Sequence, residues 1–177
     1  PGFEADDILG TIVEKLKKEK NLEIVIASGD MDTLQLVGGE RVRVFTLRRG
    51  IDDTILYNEK RVEERYGFGP KLLPDYKGLA GDPSDNIPGV PGVGEKTATL
   101  LIKEFGTIEK IYEVLKKNPE RLIQAGLSKR LTEVLKENEE EAIFSKTLGL
   151  IRRDAPIDFK LSTKEWRTGL EPQKVRA

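Results

Sequence analysis

"NLEIVIASGDMD", residues 21–32, sets an almost continuous apolar run, Leu22 to Ala27, in front of a small turn, Ser28-Gly29, and two aspartates, Asp30 and Asp32. A short run rich in β-branched residues is what a strand buried in a parallel sheet requires, because such strands meet apolar neighbours on both faces. Before it, Ile8, Ile12, Val13 and Leu16 recur at helical spacing, which predicts a helix over residues 5–20. Helix followed by buried strand indicates an α/β fold. Further on, "RVRVFTLRRGIDDTILYN", residues 41–58, shows Val42, Val44 and then Leu47, turns near Arg49-Gly50 and resumes from Thr54 to Tyr57, which is a hairpin signal. Residues 59–66 read as a short helix. From Pro70 to Pro74 the character changes to helices joined by Gly/Pro turns, and the runs "KTATLLIKEFG", "IEKIYEVLKK" and "KRLTEVLKENEEEAIFSKTLGLI" carry the i, i+3, i+4 apolar spacing of helices. The expected organisation is an α/β unit over 1–70, a helical unit over 71–160 and a last helix over 161–177. The opening "PGFEADD" without an initiator methionine and the closing "KEWRTGLEPQKVRA" both read as cut ends.

Composition narrows the chemistry. The chain has 177 residues, 37% hydrophobic and 34% charged, with a net charge of -1 and neither cysteine nor histidine. Disulfides, thiolate or imidazole zinc sites, Cys nucleophiles and Ser-His-Asp triads are thereby excluded. No apolar run approaches the ~20 residues of a membrane span and no signal pattern opens the chain, so the cytoplasm is the expected location. Carboxylates, lysines, hydroxyls or a hard metal ion must do the work.

The carboxylates fall in three groups. Asp30 and Asp32 follow the apolar strand, in the crevice where open α/β sheets place their sites, and point the same way if the chain stays extended. Glu4, Asp6 and Asp7 open the first helix; Glu4 and Asp7 share a face if the stretch is helical, and Glu4 and Asp6 share one if residue 4 is extended. Asp82 and Asp85 sit in "GDPSDNIPGVPGVGEKTA", residues 81–98. Each group has an ordinary structural explanation as a turn residue or helix cap. Three together, in a chain without histidine or cysteine, point to a hard cation such as Mg²⁺ or Mn²⁺, which prefers oxygen ligands. After Asp85, the turn framed by Gly89, Gly92 and Gly94 leads into a helix starting near Glu95 or Lys96. Turn amides, a helix N-terminus and Lys96 make an anion site, read as a helix-hairpin-helix that holds a phosphate backbone without reading bases.

"PGFEADD", "SGDMDTLQLV" and "GDPSDNIPGVPGVGEKTA", in this order, resemble the late acidic motifs of the 5′-nuclease domain of bacterial DNA polymerase I and the related flap endonucleases, over about residues 1–160. The resemblance implies a PIN-like parallel-sheet nuclease core followed by a helix-hairpin-helix subdomain. It implies a structure-specific 5′-3′ exonuclease or flap endonuclease of DNA replication and repair, leaving a 5′-phosphate and a 3′-hydroxyl. Glu4, Asp6 and Asp7 would serve a first Mg²⁺ or Mn²⁺, directly or through water, and Asp30, Asp32, Asp82 and Asp85 a second, roughly 3.5–4 Å away. Gly89, Gly92, Gly94, Glu95, Lys96 and Thr97 would grip the DNA. The family's hairpin is often supported by K⁺, for which no side-chain signature appears here. Implied partners are DNA with a 5′ end or flap and RNA primers, met by a monomer. The family's usual earlier half, with further acids and a basic arch, is missing from these residues, so the chain alone is expected to cut slowly or not at all. Two competing readings are a binding module for branched DNA that does not cleave, and a PIN-like nuclease acting on RNA.

Overall fold

The structure, a computed structural model, describes residues 2–19, 21–47 and 53–162. Helix α1, Ala5–Leu16, opens the chain; Glu4 and Asp7 cap its start in a reciprocal capping box. Strands β1, Ile24–Ala27, β2, Val42–Leu47, and β3, Thr54–Tyr57, form one sheet in that order. β1 and β2 are parallel, with Val25 opposite Arg43, and β2 and β3 are antiparallel, with Val44 opposite Tyr57. The sheet is therefore mixed, as a parallel strand followed by a hairpin demands. Strand alternation sends Ile26, Val44 and Tyr57 into the core.

β1 differs from the expectation of a strand buried on both faces. It is the edge of the described sheet, Ile26 faces the core, and Val25 on the other face is 51% exposed. The same outer face carries Phe45 and Leu47, so the sheet is covered on one side within the described residues. An apolar run is legible in sequence, whereas what packs on each side of it is not.

Helix α2, Glu59–Tyr66, begins under the Asn58 side chain, which accepts from Arg61 N at 3.0 Å, and ends at Gly67 in the left-handed region. The rest is helical: α3, Leu73–Ala80; α4, Glu95–Phe105; α5, Ile108–Lys117; α6, Glu120–Gln124; α7, Lys129–Glu137; and α8, Glu139–Leu148. The run over 129–151, read in sequence as one helical stretch, is two helices. Asn138 leaves helical geometry (φ -119°, ψ 29°) and serves as the end of α7 and the start of α8, where Glu139, Glu140 and Glu141 form an acidic first turn. The last helix expected over 161–177 lies, apart from its first two residues, outside the described residues, as does the turn near Arg49-Gly50. No helix of the described residues is long and apolar enough to cross a membrane.

One hydrophobic cluster runs from Val13, Leu34 and Val44 through Leu79 to Leu101, Ile111 and Leu135, so α3 belongs to the same core as the sheet. α3 is also held by charge: buried Asp75 accepts from Ile108 N at 2.8 Å and pairs with Lys146 of α8 at 2.7 Å. The segment after α8 returns to the first part of the chain: Gln35, in the 3₁₀ helix Met31–Leu36, binds both Gly149 O and Ile151 N, and Thr11 Oγ1 of α1 accepts from Ala155 N.

The turn between α3 and α4 is fixed by two glycines. Gly81 (φ +74°) and Gly89 (φ +64°) approach backbone to backbone; a Cβ on Gly89 would lie 2.7 Å from Ala80 C and from Gly81 Cα. Asp82 and Ile87 exchange backbone hydrogen bonds of 2.8 and 2.9 Å in the same place. Gly89→Ala is therefore expected to cost on the order of 3 kcal/mol, through positive φ and overpacking combined. Gly94 has φ -96° and open space where a Cβ would go, so Gly94→Ala should stay within about 0.5 kcal/mol of the parent in urea unfolding.

Candidate active site

Asp30 and Asp32 do not continue the strand. Asp30 caps a 3₁₀ helix, Met31–Leu36, its Oδ1 accepting from Asp32 N at 2.9 Å, so the extended alternation expected in sequence does not apply. The two stay close because Asp32 lies in the first turn that Asp30 caps. Asp82 behaves similarly: its Oδ1 accepts from Ser84 N at 3.0 Å and from Ser84 Oγ at 2.5 Å, and its Oδ2 pairs with Lys77. The turn-capping explanation is thus true of Asp82 through one oxygen, and the other oxygen is free of the turn.

Asp32, Asp82 and Asp85 meet. One carboxylate oxygen from each lies within 4.8 Å of the other two. Between them stands the Lys77 ammonium, in contact with Asp32, 2.8 Å from Asp82 Oδ2 and 3.2 Å from Asp85 Oδ2, with its side chain 13% exposed. Burial disfavours a charged lysine, yet hydrogen bonds to Asp32 and Asp82 push its pKa up. Burial also works against the Asp82 carboxylate, but Lys77 and Ser84 overcome it and hold the pKa at about 2. The Asp32 carboxyl is pushed up by burial, against the pull of Lys77 and with the charges of Asp30 and Asp85 adding.

Asp6, on α1, faces Asp30 and Asp32. Burial, then the charges of Asp30 and Asp32, push its pKa up to about 6. Glu4 and Asp7 are placed differently. Asp7 Oδ2 accepts from Glu4 N at 3.1 Å and Oδ1 from Arg152 N at 2.8 Å, so both its oxygens hold backbone. Glu4, Asp6, Asp7 and Asp32 line a cleft of 530 Å³ together with Leu148 and Arg152. Asp32 also lines a second cleft of 970 Å³ with Lys77, Asp82, Gly94, Glu95 and Lys96. The two clefts adjoin at Asp32.

The glycine turn has two parts. Gly89 is buried and its N–H donates to Ser145 Oγ at 3.0 Å, so it packs the turn and has no donor left for a phosphate. Gly92, Gly94, Glu95 and Lys96 are exposed and Thr97 is half-buried. Gly94 gives α4 no side-chain cap, so the first-turn N–H groups of that helix lack an acceptor within it. Gly92 takes φ +79°, whereas Gly94 does not need the left-handed region that its position in the motif suggests.

Sequence reasoning passed over Lys77, Arg65 and Tyr76. Lys77 lies five residues before Asp82, in the last turn of α3, where a cation is ordinary, so only the fold reveals its partners. Arg65 and Tyr76 line the larger cleft, with Tyr76 in an aromatic group with Tyr66 and Phe68.

Residues 1–67 match the family model "5′-3′ exonuclease, N-terminal resolvase-like domain", and residues 68–171 match "5′-3′ exonuclease, C-terminal SAM fold". The chain belongs to the 5′-3′ exonuclease family. It is 42% identical to DNA polymerase I of Bacillus subtilis over 99% of its own length and 19% of that protein. It is also 42% identical to a 5′-3′ exonuclease of Buchnera aphidicola, over 93% of its length and 51% of that protein. The chain therefore spans about a fifth to a half of these relatives. A solved structure of T5 5′-exonuclease with bound divalent zinc ions shares the fold, at TM-score 0.66 and 24% identity over 84% of this chain and 50% of that one. A bacteriophage T5 flap endonuclease, solved as a pseudo-enzyme-product complex with DNA and metal ions, does so at 0.65 and 23% over 83% and 49%.

The raised pKa of Asp6 makes a signed prediction for the metal-free chain. The folded state holds the Asp6 proton more tightly than the unfolded chain, so this group favours folding below pH about 4 and that contribution is lost as pH rises through about 6. Asp6→Asn removes the dependence. In chelator, its thermal midpoint relative to the parent should rise between pH 4 and pH 7 and level off above; a flat difference across that window would show that Asp6 does not face the other carboxylates.

Proposed function

We propose that this chain carries the metal-holding and strand-gripping part of a structure-specific 5′-nuclease, a 5′-3′ exonuclease and flap endonuclease acting on DNA in replication and repair. The reading is carried by the convergence of Asp32 with Asp82 and Asp85, the latter two on the segment that leads into the open glycine turn. Three carboxylate oxygens without nitrogen or sulfur donors suit Mg²⁺ or Mn²⁺, and a lysine ammonium at their centre is itself a stand-in for a cation. Asp32, Asp82 and Asp85 would hold one ion. Asp6 and Asp30, with Asp32 lining both clefts, would hold a second, with Glu4 reaching it through water. Asp7 would act by fixing the start of α1 under Glu4 and Asp6. When bound, two such ions activate a water and stabilise the leaving 3′ oxygen of an in-line displacement.

The chain's own part is placement. The first-turn N–H groups of α4, the Gly92–Gly94 backbone and Lys96 would bind successive phosphates of a duplex, which positions the strand and reads no sequence. The backbone that carries Asp82 and Asp85 runs directly into that turn, so the scissile phosphate would be referenced to the acids by one rigid segment. The family resemblance extends the reading to 5′ ends, flaps and RNA primers, a monomer, and K⁺ at the turn. A second reading, a non-cleaving module for branched DNA, draws on Lys77: the ammonium offsets the cluster, so the turn could accept a phosphate without metal.

Turnover separates the readings. On a labelled 5′-flap duplex in Mg²⁺, Asp85→Ala in the whole gene product should lower kcat by about 10²-fold or more, with a much smaller change in flap affinity measured in Ca²⁺. Cleavage that survives Asp85→Ala would put the reaction elsewhere, and absence of cleavage with intact binding would favour the module.

The turn makes its own prediction. Lys96→Ala should weaken duplex binding uniformly across sequences and reduce the slope of log affinity against log salt by roughly one. Gly94→Val should weaken binding without loss of stability, because its side chain projects into the open space over α4. Unchanged filter-binding isotherms for both would leave the turn as packing alone.

A further inference from the structure

Lys77 offers three N–H donors and meets three carboxylates, Asp32, Asp82 and Asp85, which are also the three whose oxygens converge closely enough to share one ion. We propose that Lys77 is a tethered cation that occupies this cluster in the absence of metal, competes with a divalent ion for the same oxygens, and is expelled when the ion loads. The inference rests on the metal reading of the cluster given above and adds to it a device that sets how tightly metal is held.

The competition follows from geometry. An ammonium among these oxygens and a divalent ion bound to them would be like charges within a few ångströms in a partly buried place, where screening is poor. One must leave. The stem of Lys77 passes beside Gly149, where a Cβ would lie 3.4 Å from its Cβ and Cδ. The exit is defined. Lys77 lines the 970 Å³ cleft together with Tyr76, Gly94 and Lys96, and rotation about its own side-chain bonds carries the ammonium into that space while α3 stays in place. α3 itself is tied by Asp75 to α5 and α8, so the side chain moves and the helix does not.

A tethered cation has two consequences of opposite sign. It relieves repulsion among the acids in the metal-free fold, and it opposes metal entry. An ordinary supporting salt bridge would have the first effect alone, and its removal would leave metal affinity unchanged or lower it through disorder of the ligands.

Mn²⁺ titration calorimetry on this chain and on Lys77→Met separates the two. The variant should bind Mn²⁺ at least about fivefold more tightly, melt below the parent in chelator, and approach it at saturating Mn²⁺. Lys77→Arg, which keeps the charge, should stay within about twofold to threefold of the parent in affinity, below the smallest coupling expected of the Met variant. The parent supplies a measurement that does not depend on any variant folding: the ¹⁵N resonance of the Lys77 ammonium should change in step with Mg²⁺ saturation. Equal or weaker Mn²⁺ binding by Lys77→Met, or an ammonium resonance that stays fixed while Mg²⁺ saturates the chain, overturns the tethered cation and leaves the metal reading standing. Failure of the parent and of Lys77→Met alike to bind Mn²⁺ overturns both.

Discussion

The backbone contact between Gly81 and Gly89 is the constraint on which the site depends. Neither residue can carry a side chain there, and each takes a positive φ that disfavours one. Between them the chain turns through Asp82 and Asp85 and returns to α3, where Val90 N donates to Leu79 O at 2.9 Å. The acids are thus presented on a loop pinned at its base, and the open turn starts immediately after the pin. A loop free to breathe would let the carboxylates relax away from one another, as their charges favour. Pinning keeps them together at an electrostatic cost that a cation must offset.

That cost is visible in how the aspartates divide their oxygens. Asp30 and Asp82 each give one oxygen to the local turn, and Asp7 gives both to backbone donors. A carboxylate with an oxygen spent on a cap loses rotational freedom, and its second oxygen is aimed without further help. Local folding chemistry therefore orients these carboxylates, which would be the second layer that the proposed metal site needs. Asp6 is the exception. It gains no such hydrogen bond, faces two other acids, and has its pKa pushed up to about 6, as a group held for something other than stability would.

The order of elements was legible because it rests on local signals: β-branched run, hairpin, capping residues and apolar spacing. The three acid groups were legible because their residue types left few chemistries open. Partners distant in sequence were not. Nothing in "DYKGLAGD" marks Lys77 as the centre of a carboxylate cluster or Asp75 as buried beneath α8, since each depends on where another helix crosses. Gly94 shows the converse error. It stands in a glycine-rich motif and reads as a left-handed residue, yet Gly81 and Gly89 bear the close approach, and Gly94 keeps the start of α4 bare. The β1 edge and the break at Asn138 were also beyond periodicity, which reports a face without reporting what covers it.

A bare start to α4 has a physical meaning once the acids are considered with it. A Ser or Asp at that position would cap the helix and stabilise it by roughly a few tenths of a kcal/mol over Gly, but it would also fill the donors with the chain's own oxygen. Leaving them open forgoes that stability a few residues from a cluster of carboxylates that would repel any phosphate. The two features oppose each other in the absence of a cation, and a divalent ion held by Asp32, Asp82 and Asp85 would weaken the repulsive field that a phosphate meets on its way to the turn. On the proposed reading, metal and nucleic acid would be coupled through the electrostatics of this one region, where Lys77 already supplies a positive charge to the cluster.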